Sequence, residues 1–549
     1  MKSSLRIALA QINPIVGDLA GNAQRIINAC QRAVTDYQAD IVVFPELALC
    51  AYPPEDLLFR EGFHAAMESA VQHIAQQTKK LNITLVLGYS REHQDQHGQQ
   101  QRYNAATVLS QGKSTLVYDK HALPNYGVFD ELRYFQAGDQ VGVFDCHGYR
   151  LGLTICEDIW QVTPAQQACA AGAQIILNLN ASPFHLGKAH KRLEILRQRI
   201  KETQCPIIYV NMVGGQDELV FDGGSLALDA DGAVIVQAPV FVESITAVEW
   251  DGKNLQALSN NNATLSDDAL LYEALVCGVR DYVIKNGFKG VLLGLSGGID
   301  SAVTLAIAVD ALGAEAVQAV MLPSRHTAQI SLDDAALMAQ LLKVDYQVLS
   351  IEATFTALQQ TLAPLFGDLP TDVTEENMQA RCRGILLMAL SNKQSYHARR
   401  LLLTTGNKSE MAMGYATLYG DMAGGFAPLK DVSKQWVYRL AHYRNSLGMV
   451  IPQRIITRPP SAELAPDQKD EDSLPPYEML DQILSLYVEQ ERSIEAIVAQ
   501  GFDATIVRDV VRKVNLNEYK RRQSAPGVKV TLRAFGRERR YPITNAYDK

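Results

Sequence analysis

Several features are missing from this 549-residue chain, and each absence narrows what it can be. No apolar run approaches the length of a membrane span, so no membrane partner is expected. The eight cysteines show no C-x-x-C spacing. That pattern indicates neither a zinc site nor a disulfide framework, and the expected compartment is a reducing cytoplasm. Positive charge is not in excess. The formal net charge is −9, which argues against a general nucleic-acid binder but leaves room for local basic pockets that hold phosphates. No internal repeat is found. Residues 1–12 carry Leu5, Ile7 and Leu9 in alternation, broken by Arg6 and closed by Asn13-Pro14. That is a strand pattern, too short and too interrupted for a signal peptide.

What is present is a long globular chain, with nearly half its residues apolar. It is too long for one core, so two or three domains are expected. Ser259-Asn260-Asn261-Asn262 is the best linker and separates two halves, 1–258 and 263–549. Before it, short β-branched runs recur at Ile41–Phe44, Thr84–Gly88, Ala106–Leu109, Leu151–Ile155, Ile175–Leu179, Ile207–Val210 and Ser225–Leu228. Longer helical patterns lie among them, which suggests an α/β domain with two sheets. After it, Val291–Leu295, Val317–Met321, Tyr346–Ile351 and Leu401–Thr404 read as strands of a βαβ succession. Parallel strands with crossover helices bind ligands at their carboxyl ends, where Ser296 and Thr405 fall. Thr457–Pro476 reads as a long loop or lid, and a basic tail runs from Asn517 to Arg540.

The most informative segment is Ser296-Gly297-Gly298-Ile299-Asp300-Ser301, between a strand-like run and a helix-like one. Two glycines let the backbone curl around an anion. Two serines add hydroxyl donors, and the new helix aims its N–H groups and positive dipole end at the same point. Asp300 is out of place beside a phosphate unless a metal ion lies between them. The loop therefore reads as a site for pyrophosphate with Mg²⁺. It lacks the Gly-Lys-Ser/Thr of kinase and GTPase P-loops. This pattern resembles the signature of the N-type ATP pyrophosphatases. In that family ATP is cleaved between the α and β phosphates, AMP passes to a carboxylate or amide oxygen, and ammonia displaces it.

In the first half, Cys156 follows a strand and precedes Glu157 and Asp158, a plausible nucleophile position. Glu46 closes Phe44-Pro45-Glu46, and Lys120 precedes the loop His121–Tyr126. Together the three segments resemble the nitrilase superfamily. That resemblance implies Glu46 as general base, Cys156 as nucleophile and Lys120 as oxyanion stabiliser. The stretch Pro124–Glu131 is more specific and resembles the glutaminase domain of glutamine-dependent NAD synthetases. By that resemblance Tyr126, Phe129, Glu131, Glu157, Ser182 and Lys188 surround a glutamine. Glu131 fits equally well as a carboxylate orienting Lys120. His185 and His190 are five apart, do not share a helix face as ligands, and read as peripheral.

In the second half, Thr405-Gly406-Asn407-Lys408-Ser409-Glu410 follows a strand, and Glu410 can complete a Mg²⁺ site with Asp300. Glu375–Arg383 reads as a helix, and Gly420–Gly425 as a Gly-rich loop closing over the reacting centre. Asp421 and Lys434 are within the same region. With Pro460–Leu464 and Lys520-Arg521-Arg522, these segments resemble NAD synthetases in order and spacing, from Glu46 to the tail. The resemblance implies a nitrilase-like αββα sandwich joined to a Rossmann-like parallel-sheet domain. It implies ATP contacts from Gly294, Leu295, Ser296, Gly297, Gly298, Ile299, Asp300, Ser301 and Thr405. It further implies deamido-NAD contacts from Asn377, Glu410 and Lys520, and Mg²⁺ on Asp300 and Glu410. Small-molecule substrates, a homo-oligomer and a shielded path for ammonia complete the expectation. The loop Gly420–Gly425 is longer than the Gly-Asp-Gly form of ammonia-only synthetases, which leaves the role of Asp421 open. Two alternatives stay open: a ligase of the same superfamily with another acceptor, and a binding protein with a decayed site.

Overall fold

The computed structural model describes residues 4–94, 97–260, 264–395, 399–465, 468, 470–472 and 474–546. The chain divides into two compact units, 1–216 with 220–265, and 217–219 with 266–549. Of the expected linker, Asn261 and Asn262 lie outside the described residues. Ser259 still belongs to the first unit, where its hydroxyl accepts from the Ala247 N–H at 2.8 Å.

The strands of the first unit are β1 (Leu5–Gln11), β2 (Ile41–Val43), β3 (Thr84–Gln94), β4 (Gln100–Ser110), β5 (Lys113–Asp119), β6 (Val143–Cys146), β7 (Tyr149–Ile155), β8 (Ile175–Asn180), β9 (Ile207–Asn211), β10 (Val213–Gln216), β11 (Leu219–Asp222), β12 (Leu226–Leu228), β13 (Val234–Gln237), β14 (Ser244–Trp250) and β15 (Leu255–Ala257). Thirteen of them build a seven-stranded sheet, β15-β14-β1-β2-β3-β4-β5, and a six-stranded sheet, β13-β12-β9-β8-β7-β6, while β10 and β11 pair with each other. Alternation along each strand explains the layers. Ile7, Leu9, Val86 and Val108 of one sheet meet Leu153, Ile155, Leu177 and Ile208 of the other in a single buried cluster. On the opposite face of the second sheet, Ile176, Ile207 and Tyr209 pack against Leu196 and Ile200 of α4 (Lys188–Thr203), preceded by α1 (Leu19–Tyr37), α2 (Phe63–Thr78) and α3 (Val162–Ala170). This is the αββα sandwich.

In the second unit β16 (Gly290–Gly294), β17 (Val317–Met321), β18 (Asp345–Val348) and β19 (Arg400–Leu403) form a parallel sheet in the order β18-β17-β16-β19. The helices that matter here are α5 (Asp267–Lys285), α6 (Ile299–Leu312), α7 (Gln329–Leu342), α8 (Glu352–Phe366), α9 (Val373–Ser395), α10 (Lys408–Met413) and α11 (Lys434–Ser446). The chain goes from β16 outward to β17 and β18, then returns to β19 on the other side. The order therefore switches between β16 and β19, and a crevice opens at their carboxyl ends.

Three expectations are corrected. The strand read at Tyr346–Ile351 ends at Val348, because Ile351 leaves the sheet edge to cap α8 and bury itself beside Val320 and Phe355. β5, β6, β10, β11 and β13 to β15 have no counterpart among the expected strands. β5 begins Lys113-Ser114-Thr115 and shows no apolar alternation at its start. Finally, Cys169 and Cys205, 36 positions apart, come side by side, a proximity not expected from the sequence. The fold brings the end of α3 beside the segment entering β9, which spacing along the chain does not reveal.

Candidate functional site

The rim of the first unit collects the carboxyl ends of β2, β5, β7 and β8. Glu46 follows β2, Lys120 follows β5, Cys156 follows β7 and Ser182 follows β8. All four side chains are buried. Lys120 Nζ donates to Glu46 Oε1 at 2.7 Å and to Glu131 Oε1 at 2.9 Å, with the lysine 0 % exposed. Glu46 also accepts from Asn104 Nδ2 at 2.7 Å and from the Ala181 N–H at 2.9 Å. One ammonium thus sits between two carboxylates, each fixed by a further donor. Tyr52 donates its hydroxyl to Glu131 at 3.0 Å.

Cys156 has φ of +43° at the junction of β7 and a short 3-10 turn, Cys156–Ile159. A left-handed non-glycine residue costs about 1–3 kcal/mol and persists where the surroundings over-determine it. Here the sharp turn sets the thiol at the strand end. Burial, with Glu46 adding its negative charge, pushes the thiol well above the ordinary range, and Lys120 opposes that rise. Burial likewise pushes Glu131 up to about 7 against the pull of Lys120. A neutral thiol beside a carboxylate and a fixed ammonium is suited to nucleophilic attack with proton transfer.

Around this group, Tyr126 donates its hydroxyl to Glu157 Oε2 at 2.9 Å, and the Tyr126 and Phe129 rings meet edge-on at 5.6 Å. Lys188 Nζ lies 4.3 Å from the centre of the Trp160 ring. Its ammonium is lowered to about 8, chiefly by burial and also by the charge of Arg192 one helical turn on.

In the second unit the loop after β16 curls through Gly297, whose φ is +80°. Ser301 Oγ donates to the Gly298 carbonyl at 2.9 Å and lies 3.1 Å from Ser296 Oγ. No side chain caps α6, so its first-turn N–H groups face the crevice. Asp300 Oδ2 accepts from Lys434 Nζ at 2.6 Å, and Oδ1 from Asn407 Nδ2 at 2.8 Å. Glu410 is the third residue of a capping box with Asn407, and its other oxygen accepts from Lys434 Nζ at 3.2 Å. Burial, with Asp300 adding negative charge, raises Glu410 to about 8. Ser296, Asp300, Ser301, Glu410 and Lys434 line a cavity of about 300 Å³ together with Gly294, Thr405, Arg383 and Asp421.

Known proteins share both halves of this arrangement. The NAD synthase family model matches residues 271–524 and the carbon-nitrogen hydrolase model residues 6–259. A glutamine-dependent NAD(+) synthetase of Acinetobacter baylyi is 48% identical over 547 residues, 99% of each chain. One from Thermotoga maritima is 44% identical over 580 residues, again 99% of each. The chain belongs to the glutamine-dependent NAD(+) synthetase family. A solved glutamine-dependent NAD+ synthetase of Acinetobacter baumannii, in complex with ADP, has 47% identity and a TM-score of 0.78 over 99% of both chains.

Within this synthetase framework the expected residues separate into groups. Glu46, Lys120, Cys156 and Glu131 come together, with Glu131 on Lys120. Gly294, Leu295, Ser296, Gly298, Ile299, Asp300, Ser301, Thr405 and Glu410 line the cavity; Gly297, Asn377 and Lys520 are not among the lining residues. Asn377 accepts from Thr417 Oγ1 at 2.8 Å. Lys520 donates to the Gly414 and Ala416 carbonyls at 2.9 and 3.0 Å, within electrostatic reach of Asp421. Of the segment Gly420–Gly425, expected as a loop closing over the site, Gly420, Asp421, Met422 and Ala423 line the cavity, and Gly424 and Gly425 pack on β19. Gly425 N–H donates to Leu402 O at 2.8 Å, and a Cβ there would come within 2.2 Å of Leu401. These two glycines permit close approach. Of the expected lid, Arg458, Ser461, Glu463 and Asp470 line the cavity, while 466–467, 469 and 473 lie outside the described residues.

Sequence reasoning misses the roles of Asn104, Tyr52 and Asn407. Asn407 is legible as the start of a capping box; Asn104 and Tyr52 carry no signal along the chain. Gly297 offers a direct test. A Cβ there would lie 2.5 Å from the Ser331 carbonyl oxygen, and the backbone is already left-handed. Gly297→Ala is expected to cost about 1–2 kcal/mol in backbone strain and to weaken ATP binding by at least roughly tenfold through displacement of the loop. Calorimetric titration with ATP measures this, and unchanged affinity would reject the role given to the loop's shape.

Proposed function

We propose that the first unit hydrolyses glutamine at Cys156 and the second amidates deamido-NAD with ATP, giving NAD, AMP, pyrophosphate and glutamate. The observation that carries the reading is the buried Glu46–Lys120–Glu131 cluster around a cysteine with left-handed backbone, on one chain with the Ser296–Ser301 loop. Glu46 takes the thiol proton as Cys156 attacks the amide carbon. Lys120 holds the oxyanion, and the proton passes to the departing ammonia. Water then cleaves the thioester. Glu157 and Lys188 supply one anion and one cation for the ammonium and carboxylate of glutamine, with Tyr126, Phe129 and Ser182 shaping the pocket.

In the second unit the α6 N-terminus and the loop hydroxyls hold the ATP phosphates. The nicotinate carboxylate attacks the α-phosphorus, pyrophosphate leaves, and ammonia displaces AMP from the adenylate. Asp300 and Glu410 suit Mg²⁺, because two carboxylates converge beside a phosphate-binding loop. No group of three His, Cys, Asp or Glu that could hold a metal occurs among the described residues, so substrate oxygens complete its shell. Bound there, the ion neutralises phosphate charge. Asn377 and Lys520 contact deamido-NAD. A homo-oligomer and a cytoplasmic location belong to the same reading; no helix among the described residues is long and apolar enough to cross a membrane.

The test is NAD formation from ATP, Mg²⁺ and deamido-NAD with either glutamine or ammonium, and failure with both sources would overturn the reading. A pH profile adds a second check. Lys188 binds the glutamine carboxylate only when charged, so affinity is full below about 8 and is lost as pH rises through that value. The glutamine KM is expected to rise about tenfold per pH unit above it, and Lys188→Arg to flatten the rise. A KM flat to pH 9.5 in the unaltered protein would remove Lys188 from the pocket.

A further inference from the structure

Asp158 is fully buried, two residues after the nucleophile, and its carboxylate has four donors. Oδ1 accepts from the His121 and Ala122 N–H groups at 3.1 and 2.8 Å. Oδ2 accepts from the Ile155 N–H at 2.9 Å and from the Tyr118 hydroxyl at 2.7 Å. These donors flank two of the reacting groups. His121 and Ala122 directly follow Lys120, and Tyr118 lies two residues before it. Ile155 directly precedes Cys156. The bond to Ile155 is the reach-back of a third-position carboxylate onto the residue before a helical turn, which pins the left-handed Cys156 backbone. The bonds to His121 and Ala122 fix where the chain turns out of β5.

We propose that Asp158 is a positioning residue for glutamine hydrolysis: one carboxylate sets the Cys156 and Lys120 backbones at a fixed separation. The inference rests on the glutaminase reading above. Asp158 touches neither glutamine nor the transferred proton. A single buried anion suits the task because it accepts several N–H and O–H donors that a neutral side chain could not satisfy together. An asparagine side chain at this position would keep one acceptor oxygen and present an NH₂ group to donors.

The test uses the full chain and two variants, Asp158→Asn and Tyr118→Phe. Glutamine hydrolysis is measured for kcat and KM, and ammonium-driven NAD formation serves as the internal control for an intact protein. Asp158→Asn is expected to lower kcat for glutamine by roughly 100-fold, as a displacement near 1 Å does, with KM little changed. The pH profile of Cys156 alkylation by iodoacetamide should shift with it. Tyr118→Phe removes one of the four bonds and should give a smaller loss of the same kind. Ammonium-driven synthesis should be retained in both. Unchanged kcat and alkylation profile in Asp158→Asn would overturn the proposal. So would a Tyr118→Phe variant with normal kcat beside an Asp158→Asn variant that has lost both reactions, since that pattern marks a folding role alone. If the unaltered protein hydrolyses no glutamine, the glutaminase reading falls and takes this inference with it; a normal unaltered protein with an unaffected Asp158→Asn removes the inference only.

Discussion

Cys156→Ala is expected to abolish glutamine-driven NAD formation, by roughly 10⁴-fold or more, and to leave ammonium-driven formation essentially unchanged. The asymmetry follows from the placement of the thiol. Cys156 is buried in the first unit beside Glu46 and Lys120, and the Ser296–Ser301 loop belongs to the second. Removing one sulfur from a residue only 4 % exposed costs about 1 kcal/mol or less in packing and transfer. The Lys120 ammonium keeps both its carboxylates, so no charge is left uncompensated. Fold and synthetase activity should therefore survive. The assay compares NAD formation with the two nitrogen sources, alongside direct measurement of glutamate release. Equal loss with both sources would mean that the variant damages the protein as a whole. Retained glutamine use would remove Cys156 as nucleophile.

The complementary variant is Asp300→Asn. Both nitrogen sources should fail, by roughly 10³-fold, while glutamine hydrolysis in the first unit continues. Asp300 accepts from Asn407 and Lys434, and the lysine is 1 % exposed between Asp300 and Glu410. Asparagine removes one of the two anions facing that buried ammonium and one oxygen suited to Mg²⁺. The effect on Glu410 has a definite sign. The Asp300 charge helps raise its carboxyl to about 8, so neutralising residue 300 lowers it and leaves Glu410 charged and tied to Lys434. The remaining pair is then less free to meet phosphate or metal. ATP–pyrophosphate exchange reads the adenylation step without ammonia. Normal exchange in Asp300→Asn would exclude Asp300 from that step, and loss of glutamine hydrolysis as well would mean that the two units do not act as separable sites.

Much of both sites is legible along the chain because their chemistry lies in short contiguous segments. Ser296–Ser301 combines strand, glycines and helix start in six residues, and Thr405–Glu410 carries its own capping box. Cys156 stands at a strand end. What stays hidden are the partners that fix these groups from elsewhere. Asn104 reaches Glu46 across 58 positions and Tyr52 reaches Glu131 across 79. Within Gly420–Gly425 glycine signals both freedom and close approach, and only the packing of Gly425 on Leu401 tells that close approach applies there.

By itself, therefore, the sequence placed an α/β pattern in each half, the Ser296–Ser301 segment between a strand and a helix, and Glu46, Lys120 and Cys156 at strand ends as candidates. These depend on local periodicity, turn chemistry and residue type, which act over a few positions. The tertiary structure alone decided that Glu131 partners Lys120, that Lys434 bridges Asp300 and Glu410, and that Cys169 meets Cys205. Such pairings join segments 11 to 134 positions apart. The ionic pairings exist only because each unit gathers its own strand ends, where burial makes every unpaired charge costly and so selects its partner.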